Sequence, residues 1–196
     1  MKKALIIGGI FIGLLILTGL VFGGIFIGHR NTMVQQKEAI TSAWAQVDTV
    51  IQRRADLVPN LVSTVKGIAA QEREVFSNIA NARASMAGAR SPAERINADS
   101  QLGGALSRLL VVMERYPDLR SSQNFLRLQD ELAGTENRIS VERRKYNQTV
   151  QQYNTYIQLF PNSIVASLSG FEREDAYFQT SEEARQAPPE VNFTQE

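Results

Sequence analysis

Residues 4–28 read ALIIGGIFIGLLILTGLVFGGIFIG, a run of 25 residues without a charged side chain. At the α-helical rise of 1.5 Å per residue this run spans roughly 37 Å, which exceeds a bilayer hydrocarbon core of about 30 Å. It predicts a single N-terminal transmembrane helix, with residues 1–30 as the anchor. A cleaved signal peptide is the competing interpretation, because Lys2 and Lys3 precede the run. The length of the run and the lack of a small-x-small cleavage site at its end favour a retained anchor.

Glycines within this run predict contacts between membrane helices. Small residues allow transmembrane helices to approach closely. At about 100° per residue these glycines cover an arc of roughly 200°, so they do not form one stripe. The alternative is that glycine is simply frequent in membrane helices. We expect packing on more than one side, and hence a homo-oligomer of high order. Three pairs have the GxxxG spacing: Gly9/Gly13, Gly19/Gly23 and Gly24/Gly28.

Composition narrows the functional classes. The 196 residues carry a net charge of +1, so the basic excess of a typical nucleic-acid binder is absent and no nucleic-acid partner is expected. The chain has no Cys and one His, His29, which lies beside the predicted membrane helix. These counts leave no thiol nucleophile, no Ser/His/Asp set and no Cys-based metal site. We therefore expect no enzyme activity, no cofactor and no metal.

Beyond the anchor, seven-residue repeats predict an all-α, antiparallel bundle of long helices over residues 31–179. One repeat predicts a helix of about 40 residues that begins between residues 118 and 122 and ends before Pro161. Ser91-Pro92-Ala93-Glu94 has the pattern of a capping box and predicts the start of the preceding helix. The residues of the long repeat are Phe125, Leu132, Ile139, Tyr146, Tyr153 and Phe160.

The path of the chain at Pro59 has two interpretations. The apolar rows on either side of Pro59 stay in phase, which favours one long kinked helix and a three-helix bundle. Local chemistry favours a turn at residues 55–58 and a four-helix bundle. Arg53 and Arg54 suit a helix C-terminus, and Asp56 suits an N-cap that places Pro59 in the next first turn. On balance the sequence favours the turn.

Three further features carry specific expectations. Arg54 falls on an apolar row, which predicts an internal ion pair with an acid such as Glu72 or Glu142, because a buried charge must be paired. The Gly103-Gly104 pair within a predicted helix suggests a close backbone approach to another helix. Residues 180–196 are polar, contain Pro188-Pro189 and predict a flexible tail.

Several stretches resemble the LemA family of bacterial membrane proteins. They are AWAQVD at 43–48, QRRADLVPNLV at 52–62, ERYPDLR at 114–120, TENRI at 135–139 and the YN pairs at 146–147 and 153–154. The resemblance implies a helical bundle behind one membrane helix, in the bacterial inner membrane, without an established enzymatic activity. The motif residues could serve the fold or an interaction: Trp44, Arg53, Arg54, Asp56, Pro59, Asn60, Tyr116, Pro117, Asp118, Glu136, Asn137, Tyr146, Asn147, Tyr153 and Asn154.

The expected function is a non-enzymatic, membrane-anchored scaffold that self-assembles and organises or shapes the inner membrane. Its partners would be the lipid bilayer and further copies of the chain. The positive charges before the anchor exceed those just after it by about one. This excess favours a cytoplasmic N-terminus and a bundle outside. The alternative is an adaptor for another membrane protein, such as a protease or sensor, with a groove near residues 53–60 or 116–120. An enzyme or receptor would instead need a polar-lined pocket between helices.

Overall fold

A computed structural model describes residues 2–67, 71–120 and 122–179, and the predicted tail at 180–196 lies outside the described residues. The described residues form α-helices and no strand, so the all-α prediction is confirmed. The helices are α1 (Lys2–Lys66), α2 (Arg73–Gly88), α3 (Pro92–Met113), α4 (Pro117–Arg120), α5 (Gln123–Gln158) and α6 (Asn162–Ser169).

Helix α1 is continuous over 65 residues and passes through Pro59, so the favoured turn at 55–58 is wrong. A proline inside a helix costs about 3 kcal/mol or more. That cost is offset because Ala55, Val58 and Leu61 are all buried on one face, while Pro59 lies on the exposed face. Breaking the helix would interrupt this apolar row. The chain leaves α1 only after Lys66 and begins α2 at Arg73, so the described bundle has four long helices, α1, α2, α3 and α5. The four-helix alternative is therefore right about their number, but the break lies later than the predicted turn.

Helix α5 runs antiparallel to α1 along the length of the bundle. Tyr156, near the end of α5, contacts His29, and Glu136, in its first half, contacts Arg54. The repeat predicted for α5 is buried from Phe125 to Tyr153. Its last member, Phe160, is 81% exposed, so that part of the prediction is wrong. The reason is that α5 ends at Gln158 and the chain turns before the next position of the repeat.

Helices α2 and α3 form an antiparallel pair that covers the far part of α1. The capping box starts α3 as predicted: Ser91 Oγ accepts a hydrogen bond from Glu94 N at 3.2 Å. The Glu94 carboxylate reaches one residue further back and accepts from Arg90 N at 2.8 Å. That backbone hydrogen bond lowers the pKa of Glu94. The cap fixes where α3 begins, and so fixes which of its residues face α1.

These contacts divide the bundle into two parts. We call the part next to the anchor the proximal half: α1 from residue 29 to 47, α5 from 144 to 158, α6, and the extended residues 171–179. The distal half comprises α1 from residue 48 to 66, α2, α3, α4 and α5 from 123 to 143. Helix α6 packs on both α1 and α5. The distal half begins roughly 30 Å along α1 from His29, at 1.5 Å per residue.

Candidate interaction sites

Four charged side chains from three helices meet inside the distal half. Arg54 of α1 is 3% exposed and Asp99 of α3 is fully buried. The Arg54 guanidinium donates to the carboxylates of Asp99 and Glu136, and to the Asp99 carbonyl oxygen at 2.8 Å. Arg143 of α5 donates to the second Asp99 carboxylate oxygen. We call these residues the charge cluster; two cations and two anions make it formally neutral.

The predicted internal ion pair of Arg54 is confirmed, but both suggested partners are wrong. Glu72 lies at the far end of the bundle, where it accepts from Tyr116 Oη at 3.0 Å. Glu142 faces Lys145 one turn along α5, at 2.8 Å. The missed partner, Asp99, carries the same signal as Arg54. It is an acid on the buried face of α3, next to Ala98 and one turn before Leu102.

Gly103 lies directly against the charge cluster. A Cβ atom at Gly103 would lie 3.7 and 3.8 Å from the Arg54 Nη1 and Nη2 atoms, whereas a Cβ at Gly104 would meet nothing within 4 Å. The expected close approach of two backbones is therefore wrong, because the neighbour is a guanidinium group. Beside Gly103, a groove of about 640 Å³ between α3 and α5 is lined in part by all four cluster residues.

Two asparagines of α5 hold the extended residues 171–179 by their backbone. Asn154 Nδ2 donates to Glu174 O at 2.7 Å, and Asn154 Oδ1 accepts from Glu174 N at 2.9 Å. Asn147 makes the same two bonds to Phe178, at 2.7 and 3.0 Å. Seven helical residues span about 10.5 Å and four extended residues about 13 Å, so the spacings match roughly. We call Asn147 and Asn154 the asparagine clamp.

Aromatic side chains cover the clamped segment. The Phe178 ring stacks on Trp44 at 6.1 Å and meets Tyr146 edge-on at 5.7 Å, and the Arg143 guanidinium lies 5.1 Å from its centroid. Tyr153 Oη donates to Glu172 O at 2.8 Å. Burial raises the pKa of Tyr146 to about 12 and shifts that of Tyr153 in the same direction. Arg143 therefore joins this neutral, aromatic site to the charge cluster.

The structure divides the motif residues into two groups. One group forms the charge cluster and the clamped site: Trp44, Arg54, Glu136, Tyr146, Asn147, Tyr153 and Asn154. The other group lies elsewhere on the bundle. Arg53, Asp56, Pro59, Asn60 and Asn137 are exposed on helices; Tyr116 follows α3, and Pro117 and Asp118 open α4.

Several residues of the second group make hydrogen bonds of their own. Asp56 accepts a hydrogen bond from Gln52 Nε2 at 2.8 Å, and the Asn60 carbonyl accepts from Thr64 Oγ1 at 2.9 Å. Tyr116 bridges the end of α3 to the start of α2, because its hydroxyl also accepts from Gln71 Nε2 at 2.8 Å. Asp56 and Asn60 thus make contacts within α1, whereas Tyr116 joins the end of α3 to the residues before α2.

Most of the anchor part of α1 is not buried by the rest of the described chain, and its contacts with the bundle begin at Phe26. The side chains of residues 6–25 are exposed, and this is the helix of the described chain that is long and apolar enough to cross a membrane. At each predicted packing glycine an added Cβ atom would meet nothing within 4 Å. The glycine surfaces are thus left uncovered by the rest of the described chain. They are Gly9, Gly13, Gly19, Gly23, Gly24 and Gly28.

Within the described residues, one candidate membrane helix continues into a helical bundle, and this arrangement defines the class of protein. The model of the LemA family matches residues 43–193, and the chain belongs to this family. Among its relatives, magnetosome protein MamQ 2 of Paramagnetospirillum magneticum is 28% identical over 190 aligned positions, covering 84% of this chain and 70% of the relative. Protein LemA of Metamycoplasma hominis is 27% identical, covering 80% and 72% respectively. The chain is a membrane-associated LemA-family protein.

Proposed function

We propose that this protein is a non-enzymatic, membrane-anchored scaffold that self-assembles in the bacterial inner membrane and organises or shapes it. The observation that carries the proposal is the continuity of α1, in which anchor and bundle share one helix of 65 residues. Because the helix continues without a break from the anchor into the bundle, no linker separates the two parts. Packing between anchors would then set the spacing and direction of the bundles.

The uncovered glycine surfaces support lateral contacts between anchors. Without the hydrophobic effect in lipid, helix association depends on close van der Waals packing, which small residues permit. The GxxxG pairs face different directions around α1. A helix with one such face can form a dimer, whereas several faces allow a ring or a lattice.

The groove between α3 and α5 has the charged lining that an enzyme or receptor would also need, but these charged groups have a structural use. The charged groups beside the groove bond to one another, so their interactions serve to join α1, α3 and α5. Within the described ranges, no group of three or more His, Cys, Asp or Glu side chains could hold a metal ion.

The proposal also includes a cytoplasmic N-terminus and an outward bundle, as the basic flanks of the anchor favour.

The test is the size of assemblies extracted from native membranes. We expect wild-type protein to give particles of more than two copies by native mass measurement and electron microscopy. Changing Gly9, Gly13, Gly19 and Gly23 together to Leu should reduce these particles to single copies, because the larger side chains keep backbones apart. Large assemblies that survive this change would contradict a role for the anchor. The matched control replaces exposed β-branched residues by Leu at Ile10, Ile16, Val21 and Ile25 and should leave assembly unchanged.

A second candidate function is an adaptor for another membrane protein. The observation that favours it is the groove of about 640 Å³ beside the charge cluster, whose lining includes Arg54, Glu136 and Arg143. It lies between α3 and α5, in the middle of the bundle and away from residues 116–120. A photo-crosslinker at Gln129, in the groove lining, discriminates the two functions in native membranes. Crosslinks to one other protein support the adaptor, and crosslinks between copies support the scaffold.

A further inference from the structure

A second uncharged run lies far from the anchor in sequence. Residues 146–171 contain no Asp, Glu, Lys, Arg or His over 26 positions, one more than the anchor run. At the chain-wide charged content of 21% a run of this length would hold about five charged residues. The run comprises the end of α5, all of α6 and the connection between them. Charged side chains are thus missing from the end of α5, the connection and α6, while the charges of the proximal half lie on α1 and at residues 144–145 and 172–175.

This end of the bundle lies beside the point where α1 leaves its apolar run. The hydroxyl of Tyr156 is 2.9 Å from Nδ1 of His29, the first residue after the anchor run. Because α5 is antiparallel to α1, Gln158 lies about 3 Å closer to the anchor than Tyr156 does. Phe26, within the anchor run, is partly buried against the bundle core. The α5–α6 connection is therefore level with the last turn of the apolar run.

Large apolar side chains are exposed at the α5–α6 connection and on α6. Phe160 is 81% exposed and Leu168 is 73% exposed. In α6, Ile164 and Leu168 lie one turn apart on the outer face, while Val165 and Ala166 are buried on the inner face. A helix with apolar residues on both faces requires an apolar neighbour on both. We call the exposed residues the elbow patch: Leu159, Phe160, Ile164 and Leu168.

We propose that the elbow patch enters the interface of the same bilayer that α1 crosses. The occupant of this surface is lipid: the upper acyl chains beneath the headgroups of the leaflet nearest the bundle. Three observations converge on lipid, namely the depth set by the Tyr156–His29 contact, the uncharged run and the outward apolar face of α6. The inference rests on the proposed anchoring of α1 but not on self-assembly.

Two membrane contacts would have a consequence that one spanning helix lacks. A lone spanning helix can rotate about its axis, so its bundle has no fixed direction. A second contact beside it fixes the direction in which the bundle leans. It also adds volume to one leaflet only, as interfacial amphipathic helices do. The elbow patch thereby provides a physical source of the proposed effect on membrane shape.

The absence of Cys from the chain makes a direct test practicable, because a single introduced Cys labels at one site. Full-length Phe160→Cys and Leu168→Cys variants would carry an environment-sensitive fluorophore in phosphatidylcholine–phosphatidylglycerol vesicles at low protein density. Ile16→Cys reports on the anchor. Val111→Cys is the matched control, since Val111 is 67% exposed in the distal half. Each label is quenched in turn by aqueous iodide and by nitroxide-bearing lipid.

We expect iodide quenching at positions 160 and 168 to be roughly fivefold weaker than at position 111, with strong quenching by the lipid nitroxide, as for side chains 5–10 Å below the headgroups. Iodide access at 160 and 168 with lipid contact at position 16 would overturn the inference alone. Protection from both quenchers would mean that protein, such as a second copy, covers the patch, and would also overturn it. Iodide access at position 16 would refute the anchor itself. Both substituted side chains are exposed, so the fold does not depend on them, and circular dichroism verifies it.

Discussion

The buried charges of the described bundle lie in its distal half, whereas the buried polar groups of the proximal half are neutral. The distal half buries charges: Arg54 and Asp99 are 3% and 0% exposed. The proximal half buries neutral groups: Asn154 is 4% exposed and Tyr153 is 1% exposed, and both bond to backbone of residues 171–179. The change occurs near Arg143, which contacts both Asp99 and the Phe178 ring.

The difference fits the proposed surroundings of each half, with the proximal half beside the bilayer and the distal half in water. Removing a charge from water costs several kcal/mol per ion, and only close partners offset this cost. Beside a bilayer, little water is available to hydrate even a paired charge. An amide or phenol group that hydrogen-bonds to a peptide carries no net charge. Neutral hydrogen bonds therefore join elements at the membrane end with a smaller desolvation cost. Charges can specify helix register at the end surrounded by water. The predictions below test this division, from the largest expected effect to the smallest.

The largest effect is expected from removing the buried anion of the distal half. Asp99→Asn leaves Arg54 and Arg143 facing one another with a single remaining carboxylate, Glu136. Breaking a buried ion pair in this way costs about 3–5 kcal/mol. We expect the free energy of unfolding of the full chain in detergent to fall by that amount in urea titrations followed by circular dichroism.

The matched control is an exposed ion pair of the same bundle. Lys145→Gln removes the Lys145–Glu142 contact, in which the Lys side chain is 62% exposed. Such pairs contribute about 0–1 kcal/mol, so little change is expected. A loss below about 1 kcal/mol for Asp99→Asn would mean that water reaches the charge cluster. The distinction between the halves would then fail at its foundation.

A smaller effect is expected from filling the space beside the charge cluster. Gly103→Leu places a large side chain against the Arg54 guanidinium, and such overpacking costs about 1–3 kcal/mol. Gly104→Leu is the control, because a Cβ there meets no neighbour within 4 Å. Relative to Gly, Leu raises helix propensity, so the control should gain up to about 1 kcal/mol. Equal stability of the two variants, by urea titration, would show that Arg54 does not restrict the side chain at position 103.

The proximal half should respond locally and not globally. Asn154→Ala removes the side chain that bonds to both backbone atoms of Glu174 and leaves that peptide without this partner. Leaving a polar group unsatisfied costs about 1–3 kcal/mol, but release of residues 171–179 to water limits the loss. We expect faster amide hydrogen exchange at Glu174, read by mass spectrometry, with α3 unchanged. Exposed Asn137→Ala, on the same helix, serves as the control. Unaltered amide exchange at Glu174, or slower exchange throughout the chain, would contradict the role of the asparagine clamp.

Features that depend on the seven-residue repeat could be predicted from the sequence, whereas contacts between distant segments could not. The buried row from Phe125 to Tyr153 followed from its seven-residue spacing, because one face of a helix must be covered. The turn at residues 55–58 was wrong because caps contribute only about 1 kcal/mol each, less than continuous burial of the apolar row does. The partner of Arg54 depends on how α3 lies against α1, which no local pattern encodes. Residues 171–179 have no repeating pattern, so the sequence did not indicate that Asn147 and Asn154 bond to them.

The finest test of the neutral interior is the ionisation of Tyr146. Burial, with Glu174 and Tyr177 nearby, raises its pKa from 10.0 to about 12. The unfolded chain therefore loses this proton first, so the stabilising contribution is complete below pH 10 and is lost as the pH rises toward 12. In Tyr146→Phe this part of the alkaline loss should vanish, while stability at neutral pH changes by less than about 1 kcal/mol. The measurement is the free energy of unfolding against pH for both proteins. Identical alkaline slopes would mean that water reaches Tyr146 in the folded state, and the neutral groups of the proximal half would then lack the dry surroundings that set them apart from the charge cluster.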